Sequence, residues 1–386
     1  MKNIKAIIVK ATMEGHGVVQ FDGSSKVSGR RSSLSYAHSS CKSTLVRDAD
    51  IIGTSTFAKA SFSSSKDADG CDIIIRSLKI SGDCLRHAIH VEEHPFHTLN
   101  IAHSDLHKVV FLSNIGTQQR GYLIPNTGER KKSSYCITSA KEVGGAIPVL
   151  EQHSRSGEKK VAESESDAKD TTAFGRESVG DTTYELTMYI DPSEMGMISL
   201  SDLQDRRALV DCLVPAFRER LSANLGSAVP EPAYFVKTAS AYQIPERGIL
   251  LTQDQARLMV VDLLRKVASV YINKSQTGYA KVTGLKIKAI VDPLVDVDDG
   301  TGFIAIKQDG HPFDAGVLSS YLESFVQSYT MCDQEKARKE LKDFEEAIKA
   351  AKKLAEDSSR AKRAAKGSGK KAPLVPEAVD NSAEEN

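Results

Sequence analysis

The sequence contains no apolar run approaching the ~20 residues that a membrane-spanning helix needs. Near its start, a short apolar run from Ala6 to Val9 ends at Lys10, so we expect no secretory signal peptide. The six cysteines are scattered without a C-x-x-C pair, a spacing that fits neither a zinc ribbon nor a disulfide framework. These absences predict a cytoplasmic protein whose cysteines stay reduced and act mainly as small apolar side chains.

Motifs of the common enzyme classes are also missing. There is no G-x-S-x-G nucleophile elbow and no H-E-x-x-H zinc motif. The segment Gly367–Lys371 has a Gly-Ser-Gly-Lys order, but Ala364 replaces the upstream glycine of a phosphate loop and no Ser or Thr follows the lysine. The aspartates between Asp292 and Asp299 do not have calcium-loop spacing. We therefore expect a protein that is not an enzyme and that holds no cofactor and no metal.

The chain of 386 residues has no net charge, with 51 basic and 51 acidic side chains. Nucleic-acid-binding proteins are usually basic, so a sum of zero argues against that class only if the charges are evenly spread. They are not evenly spread. Residues 120–135 contain four basic side chains and only Glu129 as an acidic one, and residues 359–371 contain six basic side chains and no acidic one.

Strand and helix patterns alternate along the first 330 residues. Runs of β-branched and aromatic residues predict strands at Ile4–Ala11, Gly17–Phe21, Asp72–Ile80, Thr182–Ile190 and Lys281–Val291. Helical periodicity predicts helices at Leu203–Leu225 and Thr252–Ile272, with Thr252 as the N-cap of the second. The mixture predicts an α+β fold with an antiparallel sheet.

Four segments differ in composition from this body. Residues 22–50 and 151–181 are polar and lack apolar runs, and structureless segments of that length inside a domain are usually functional or disordered. We expect both to form projecting arms. Residues 331–358 are rich in Ala, Lys and Glu with one apolar stripe, which predicts a helix. Residues 359–386, basic and then acidic, are typical of a disordered tail.

Six of the ten histidines fall between His87 and His107. His87, His90, His94 and His97 are spaced by three and four residues, so a continuous helix would place them near one face, where imidazoles can bind zinc. Pro95 argues against a continuous helix. A zinc-dependent hydrolase built on the His87–His97 cluster stays open as an alternative, although ordinary surface or packing histidines are the more common case.

The basic residues 120–135 are interleaved with Tyr, Ser and Gly, a combination that single-strand-binding proteins use to stack on bases and approach phosphates. Such clusters are more often solvated surface, so composition alone does not decide between the two interpretations.

Several short motifs occur in one order along the chain. They are Gly15-His16-Gly17-Val18-Val19, Cys84-Leu85-Arg86-His87, Arg120-Gly121-Tyr122-Leu123-Ile124-Pro125, Arg130-Lys131-Lys132-Ser133-Ser134, Phe174-Gly175, Gly180-Asp181-Thr182-Thr183-Tyr184 and Gly248-Ile249-Leu250-Leu251-Thr252. Over roughly residues 1–290 this ordered set resembles the backbone subunit of the CRISPR type I-F variant Cascade complex. Each motif is weak alone, and the resemblance rests on their order.

The resemblance implies a palm built on an RNA-recognition-motif-like sheet, with inserted fingers and a protruding thumb. We expect the palm to span residues 1–330. From their composition, we assign residues of about 22–50 to a finger-like insertion and residues of about 151–181 to a thumb-like insertion. It implies a guide-RNA-binding subunit that forms homo-oligomers along the RNA, contacts other Cascade subunits and presents the guide to target DNA. Such backbones are not catalytic. A subunit of this kind needs only modest affinity, because neighbours on one RNA supply a high effective concentration. An RNA-binding protein outside CRISPR systems remains a further alternative.

On this hypothesis we expect RNA-backbone contacts from His16, Lys26, Arg30, Arg31, Arg86, His87, Arg120, Arg130, Lys131 and Lys132. Lys274 and Lys281, near the end of the predicted long helix, are further candidates. Tyr122 and Tyr135 are candidates for base stacking, for which core packing is the alternative.

Overall fold

The computed structural model describes residues 3–27, 35–38, 41–45, 53–66, 72–93, 104–124, 127–143, 149–154, 173–201, 207–238, 244–274, 278–291, 302–322, 324–326 and 328–367. The chain divides into two compact units, Met1–Met331 and Cys332–Asn386. The second unit contains one long helix, and everything else described below belongs to the first.

Eight α-helices and two short 3₁₀ helices (Val91–Glu93 and Asp211–Leu213) occur among the described residues. The α-helices are α1 Gly82–Ile89, α2 Asp105–Leu112, α3 Ile115–Arg120, α4 Pro192–Gly196, α5 Val214–Leu225, α6 Gln253–Ala268, α7 Ala315–Tyr321 and α8 Gln334–Gly367. None of these helices has the length and apolar character needed to cross a membrane.

The strands, in chain order, are β1 Asn3–Ile4, β2 Ala6–Gly17, β3 Phe21–Val27, β4 Ser35–His38, β5 Cys41–Leu45, β6 Gly53–Ala58, β7 Ala60–Lys66, β8 Asp72–Ile80, β9 Tyr122–Leu123, β10 Arg130–Lys131, β11 Tyr135–Ile137, β12 Ala140–Glu142, β13 Val149–Ser154, β14 Ala173–Ser178, β15 Asp181–Ile190, β16 Met197–Ser199, β17 Ala233–Lys237, β18 Glu246–Leu250, β19 Tyr271–Lys274, β20 Gly278–Ile290, β21 Ile304–Lys307, β22 Ser324–Phe325 and β23 Tyr329–Met331.

An eleven-stranded sheet forms the centre of the first unit. Its main path runs β19-β20-β2-β15-β12-β8-β4-β5, and β11, β21 and β7 pair alongside it. At its middle, β20, β2, β15 and β12 are mutually antiparallel neighbours. Numbered by their order along the chain, these four strands lie side by side in the sheet as last, first, third and second. In sequence, α1 comes between the first and second of these strands, and α6 comes between the third and last. The predicted α+β fold with an antiparallel sheet is therefore confirmed.

One face of this sheet packs under helices. Alternating residues of β2 and β15, among them Val9, Met13 and Met188, are buried with Leu263 and Val267 of α6 in one apolar core. Burying one Leu, Val or Met side chain contributes about 1.5–3 kcal/mol, so a core of this size is the main stabilising term. The Thr252 side chain caps α6 and the Gln255 side chain bonds back to the Thr252 amide, which completes a capping box.

Most predicted elements lie where periodicity placed them, but several boundaries differ, three of them by many residues or by the type of element. Residues Val18–Gln20 form no strand, since β2 ends at Gly17, which has a φ of 73°. Residues 203–206 of the helix predicted from Leu203 lie outside the described residues, and α5 begins at Val214, where a proline occupies the first turn. The long helix ends at Ala268, and the chain from Tyr271 pairs as β19 instead.

The segments expected to form arms contain strands in their described parts. From residues 22–50 come most of β3 and all of β4 and β5, while β13 and β14 flank the undescribed residues 155–172. A separate four-stranded sheet, ordered β13-β14-β6-β3, joins strands of both segments. Helix α8 reaches Gly367, past the predicted end at residue 358, so Arg360, Lys362 and Lys366 are helical.

Candidate nucleic-acid interface

A short hairpin brings the two basic motifs of residues 120–135 together. Strand β9 pairs with β10, with Leu123 opposite Arg130 and Tyr122 opposite Lys131. The hairpin depends on Gly121, which has a φ of 75°. A Cβ atom at that position would lie 2.6 Å from the carbonyl oxygen of Lys131 and from the amide nitrogen of Ser133. Only glycine combines this conformation with so close an approach.

Tyr122 and Lys131 point into the protein from this hairpin. The Tyr122 hydroxyl donates to the carbonyl oxygen of Ala208 at 2.8 Å, and its ring meets Phe111 edge-on. Lys131 is 8% exposed, and its ammonium donates to the carbonyl oxygens of Glu194 and Met197 at 2.6 and 2.9 Å. Burial lowers the pKa of Lys131 to about 8. Both side chains anchor the hairpin, so neither has its polar end on the surface.

The acidic residue of the segment is neutralised inside the protein. Glu129 is fully buried, and the ammonium of Lys108 on α2 donates to its carboxylate at 3.0 Å. Burial favours the protonated acid, but hydrogen bonds from Thr127 and Lys108 hold the pKa of Glu129 below its ordinary value. With Glu129 paired and Lys131 turned inward, Arg120, Arg130 and Lys132 are the partly or fully exposed charges of this segment.

The charges of Arg86 and Arg120 both act on one buried phenol, that of Tyr135. The guanidinium of Arg86, on α1, is 5.7 Å from the ring centroid of Tyr135. Burial raises the pKa of Tyr135 above its ordinary value, and the nearby charges of Arg86 and Arg120 only partly oppose this effect. The two arginines, distant in the sequence, therefore both lie near Tyr135, which follows the hairpin in the chain. Tyr135 is 3% exposed, so its ring packs in the core in this conformation.

A series of buried polar groups in contact with one another connects Tyr135 to helix α6. The Tyr135 hydroxyl and His90 Nε2 are 3.0 Å apart, and His90 Nδ1 is 2.8 Å from Glu93 Oε2. Glu93 also pairs with Lys266 of α6, whose ammonium lies 2.8 Å from Asp262. The chain of contacts thus ties the end of α1 and the strand after the hairpin to α6.

The charges of this network stabilise one another. Burial alone would raise the pKa of Glu93, but the hydrogen bond with His90 and the charge of Lys266 hold it below its ordinary value. Burial likewise opposes the charged form of Lys266, yet Glu93 and Asp262 raise its pKa. Gly116 leaves the room that this requires, since a Cβ there would lie 1.6 Å from Glu93 Oε2.

A second group of predicted residues lies on the sheet rather than at the hairpin. His16 lies near the end of β2, and its Nδ1 lies 2.8 Å from Asp181 on β15. Lys281 is exposed on β20 opposite Glu14, two residues along β2 from His16. His16 and Lys281 are therefore neighbours, on strands of the central sheet.

The other predicted residues are more dispersed. His87 is exposed on α1, the helix that contains the whole Cys84–His87 motif. Lys26 lies on β3 of the separate four-stranded sheet, and Lys274 ends β19. Arg30 and Arg31 lie outside the described residues.

The histidine cluster has a packing role where it is described. His90 is 1% exposed and bonded to Glu93 and Tyr135. His94, His97 and His103 lie outside the described residues. Among the residues that the structure describes, no group of three or more His, Cys, Asp or Glu side chains is arranged to hold a metal ion.

Comparisons with known proteins identify a family. A family model described as "Type I-Fv CRISPR-associated protein Cas7fv-like" matches residues 3–325. No curated protein matches the chain. One similar solved structure, titled "CRISPR RNA-guided surveillance complex", is 12% identical with a TM-score of 0.28, over 88% of this chain and 84% of that chain. A second, titled "CRISPR RNA-guided surveillance complex, pre-nicking", is 11% identical with a TM-score of 0.31, over 90% of this chain and 88% of that chain.

Proposed function

Because the chain belongs to the Cas7fv-like family of type I-Fv CRISPR-associated proteins, we propose that it is a guide-RNA-binding backbone subunit of a Cascade complex. Copies of it assemble along the spacer of the guide, contact other Cascade subunits and present the guide for pairing with target DNA. In this role the chain binds and positions RNA and performs no reaction.

The observation that carries the proposal is the grouping of basic side chains at the β9–β10 hairpin. Arg86 and Arg120 both lie close enough to Tyr135 to influence its pKa. Lys132 is exposed at the end of the hairpin, and Glu129, the one acidic residue of the segment, is buried against Lys108. Phosphates of single-stranded RNA are recognised by such groups of cations. We assign the backbone contacts to Arg86, Arg120, Arg130 and Lys132, and a supporting role to Tyr122 and Lys131.

The central sheet supports the proposed RNA-recognition-motif-like palm. The four middle strands stand in the order last, first, third, second, with α1 and α6 as the two connecting helices. This is the arrangement of a split βαβ unit, in which both helices lie on one face of the sheet. On the other face, Glu14, His16, Tyr279 and Lys281 are exposed, and sheets of this kind bind RNA in many proteins.

We further propose that the finger-like and thumb-like segments form one lobe. Strand β3 pairs with β6, and β6 pairs with β14, so residues near positions 22–27 and 173–178 share one sheet. Lys26 belongs to this lobe through β3, and we propose that its RNA contact is with a different part of the same guide or with the RNA on a neighbouring copy.

The test compares RNA binding by the full chain with that of matched variants. Arg86→Ala and Lys132→Ala should each weaken binding to the cognate guide and lower the slope of log affinity against log salt by about 0.7. Lys339→Ala, an exposed lysine on α8, is the control and should change neither. A protein that ignores guide RNA even at low salt would overturn the proposal.

A further inference from the structure

The exposed face of the central sheet has two rows of outward-pointing residues near the ends of β19, β20 and β2. Cross-strand pairing sets the rows, because β-strand side chains alternate between faces. The first row contains Tyr271, Lys281 and Glu14, and the second contains Asn273, Tyr279 and His16. All six are exposed, whereas Ile272 and Ala280, which lie between them in sequence, are buried on the opposite face.

Two tyrosines stand together on this face. Tyr271 is 56% exposed and Tyr279 is 39% exposed, although tyrosine rings are usually more buried than this. They are diagonal neighbours across β19 and β20, with ring centroids 6.2 Å apart and planes inclined by 36°. The two rings support each other, and a spacing this short leaves no room for a base between them. A planar ligand can therefore stack only on their outer surfaces.

The surroundings of the pair favour a nucleobase over a protein surface. The cores of protein interfaces are apolar and depleted of charge, whereas the two rows contain Lys281, His16, Glu14 and Asn273 beside the rings. Lys281 stands directly across from Tyr271 and can reach a phosphate of a nucleotide stacked there. Two carboxylates face the site as well: Glu14 lies opposite Lys281, and Asp181 contacts His16 at 2.8 Å.

We propose that Tyr271 and Tyr279 form a stacking site for an unpaired base of single-stranded RNA, with Lys281 as its phosphate contact. The proposal rests on the function proposed above and adds a base-contacting site to the backbone contacts of the hairpin. Because acidic and basic groups alternate around the rings, the site contributes affinity through stacking more than through charge. Stacking is tolerant of base identity, which suits a subunit that binds guides of different sequence.

The experiment measures binding of a short fluorescein-labelled oligouridine by anisotropy, using the full chain. Tyr271→Ala and Tyr279→Ala should each weaken binding by about tenfold, the effect expected for loss of one stacked base. The slope of log affinity against log salt should not change, because no phosphate contact is lost. Tyr271→Phe should retain binding, since the ring and not the hydroxyl stacks. Lys281→Met should instead lower that slope by about 0.7.

Tyr189→Ala is the matched control. Tyr189 is 45% exposed on the same sheet, but it pairs with Ile8 and Cys136 and not with the two rows. Its substitution should leave affinity unchanged. Unchanged affinity in Tyr271→Ala and Tyr279→Ala, with Arg86→Ala still weakened, would overturn the stacking site and leave the proposed function intact. Altered particle mass of the tyrosine variants without RNA would assign this face to copy–copy contact and also overturn it. If the unsubstituted chain binds no RNA, both proposals fail.

Discussion

At the scale of single residues, burial separates basic side chains that support the fold from those that can meet a ligand. Along β10 and just beyond it, Arg130 and Lys132 are outward, while Lys131 between them donates to two main-chain carbonyls. Lys266 and Lys108 are likewise paired with carboxylates inside the protein. Residue type alone cannot separate these roles, because a lysine is basic in either position and only its neighbours decide where it points.

The buried network around Lys266 gives a prediction at this scale. Lys266→Met should destabilise the protein by about 3 kcal/mol at neutral pH, because Glu93 and Asp262 then lose their cation. Urea unfolding measures the difference. The double variant Glu93→Gln, Lys266→Met should lose less free energy of unfolding than the two single variants lose in sum, since the two residues interact directly. Additive losses would mean that the contact between Glu93 and Lys266 contributes nothing.

The same variant gives a pH dependence whose sign is fixed by Glu93. Its folded-state pKa lies below the ordinary value of 4.5, so its contribution to stability is present above about pH 4.5 and is lost as pH falls through the folded pKa. The stability difference between the original protein and Lys266→Met should therefore shrink on acidification below pH 4.5. Urea titrations across that range test this, and a difference independent of pH would contradict it.

At the scale of elements, the hairpin depends on backbone geometry at Gly121. Gly121→Ala should destabilise the protein by about 2–4 kcal/mol, because both the positive φ and the 2.6 Å approaches to Lys131 and Ser133 oppose a Cβ. Gly128→Ala is the matched control: its φ is 77°, but among the described residues, its chain neighbours aside, no atom lies within 4 Å of the position that a Cβ would take. Gly128→Ala should lower the free energy of unfolding by only about 1–2 kcal/mol, the effect of the backbone conformation alone.

RNA affinity distinguishes the two glycine variants as well. Gly121→Ala should weaken guide binding, because it displaces Arg120 from beside Tyr135, whereas Gly128→Ala should leave it nearly unchanged. If both variants, measured under conditions in which both are folded, bind guide RNA with equal affinity, RNA binding does not depend on the geometry of the hairpin.

The sequence predicted the strongly periodic elements well. Strand β8 has the predicted bounds, and α6 begins after its predicted cap Thr252. The end of α6 was predicted too late, because Tyr271 and Ile272 continue the apolar pattern of the helix. In the structure these two residues pair with β20 and belong to a strand. The start of α5 was missed because the apolar residues Ala208 and Leu209 are buried without being helical. Tertiary pairing overrides local pattern in both cases.

The candidate site was less predictable than the fold. Basicity and motif order indicated residues 120–135, but the buried partners of that segment, Glu93 and Lys266, come from distant elements and have no sequence signal. Tyr271 and Tyr279 alternate with the buried Ile272 and Ala280, so a strand assignment there would have placed them on an open face. The helix predicted to Ile272 concealed that alternation at Tyr271, and the strand predicted from Lys281 began just after Tyr279.

At the scale of the whole molecule, the net charge of zero combines regions of opposite character. Within residues 359–371 there are six basic side chains, of which Arg360, Lys362, Arg363 and Lys366 lie on helix α8. We expect this basic block to add non-specific affinity for nucleic acid through its phosphates. Deletion of residues 359–386 should lower binding to random duplex DNA, measured by anisotropy, and leave the length of RNA-bound assemblies unchanged.

Deletion of residues 372–386 alone is the control for that experiment, since it removes the acidic end and keeps every basic residue of the block. It should maintain or increase duplex affinity. Equal duplex affinity of the full chain and the 359–386 deletion would count against any role of the block in binding DNA.

The central claim is that copies of this chain assemble on guide RNA, and particle mass measures it most directly. The full chain is expressed with and without its cognate guide and examined by mass photometry. The account predicts a discrete RNA-containing particle of several copies when the guide is present and a much smaller species without it. A particle whose mass is the same with and without guide RNA would contradict the account.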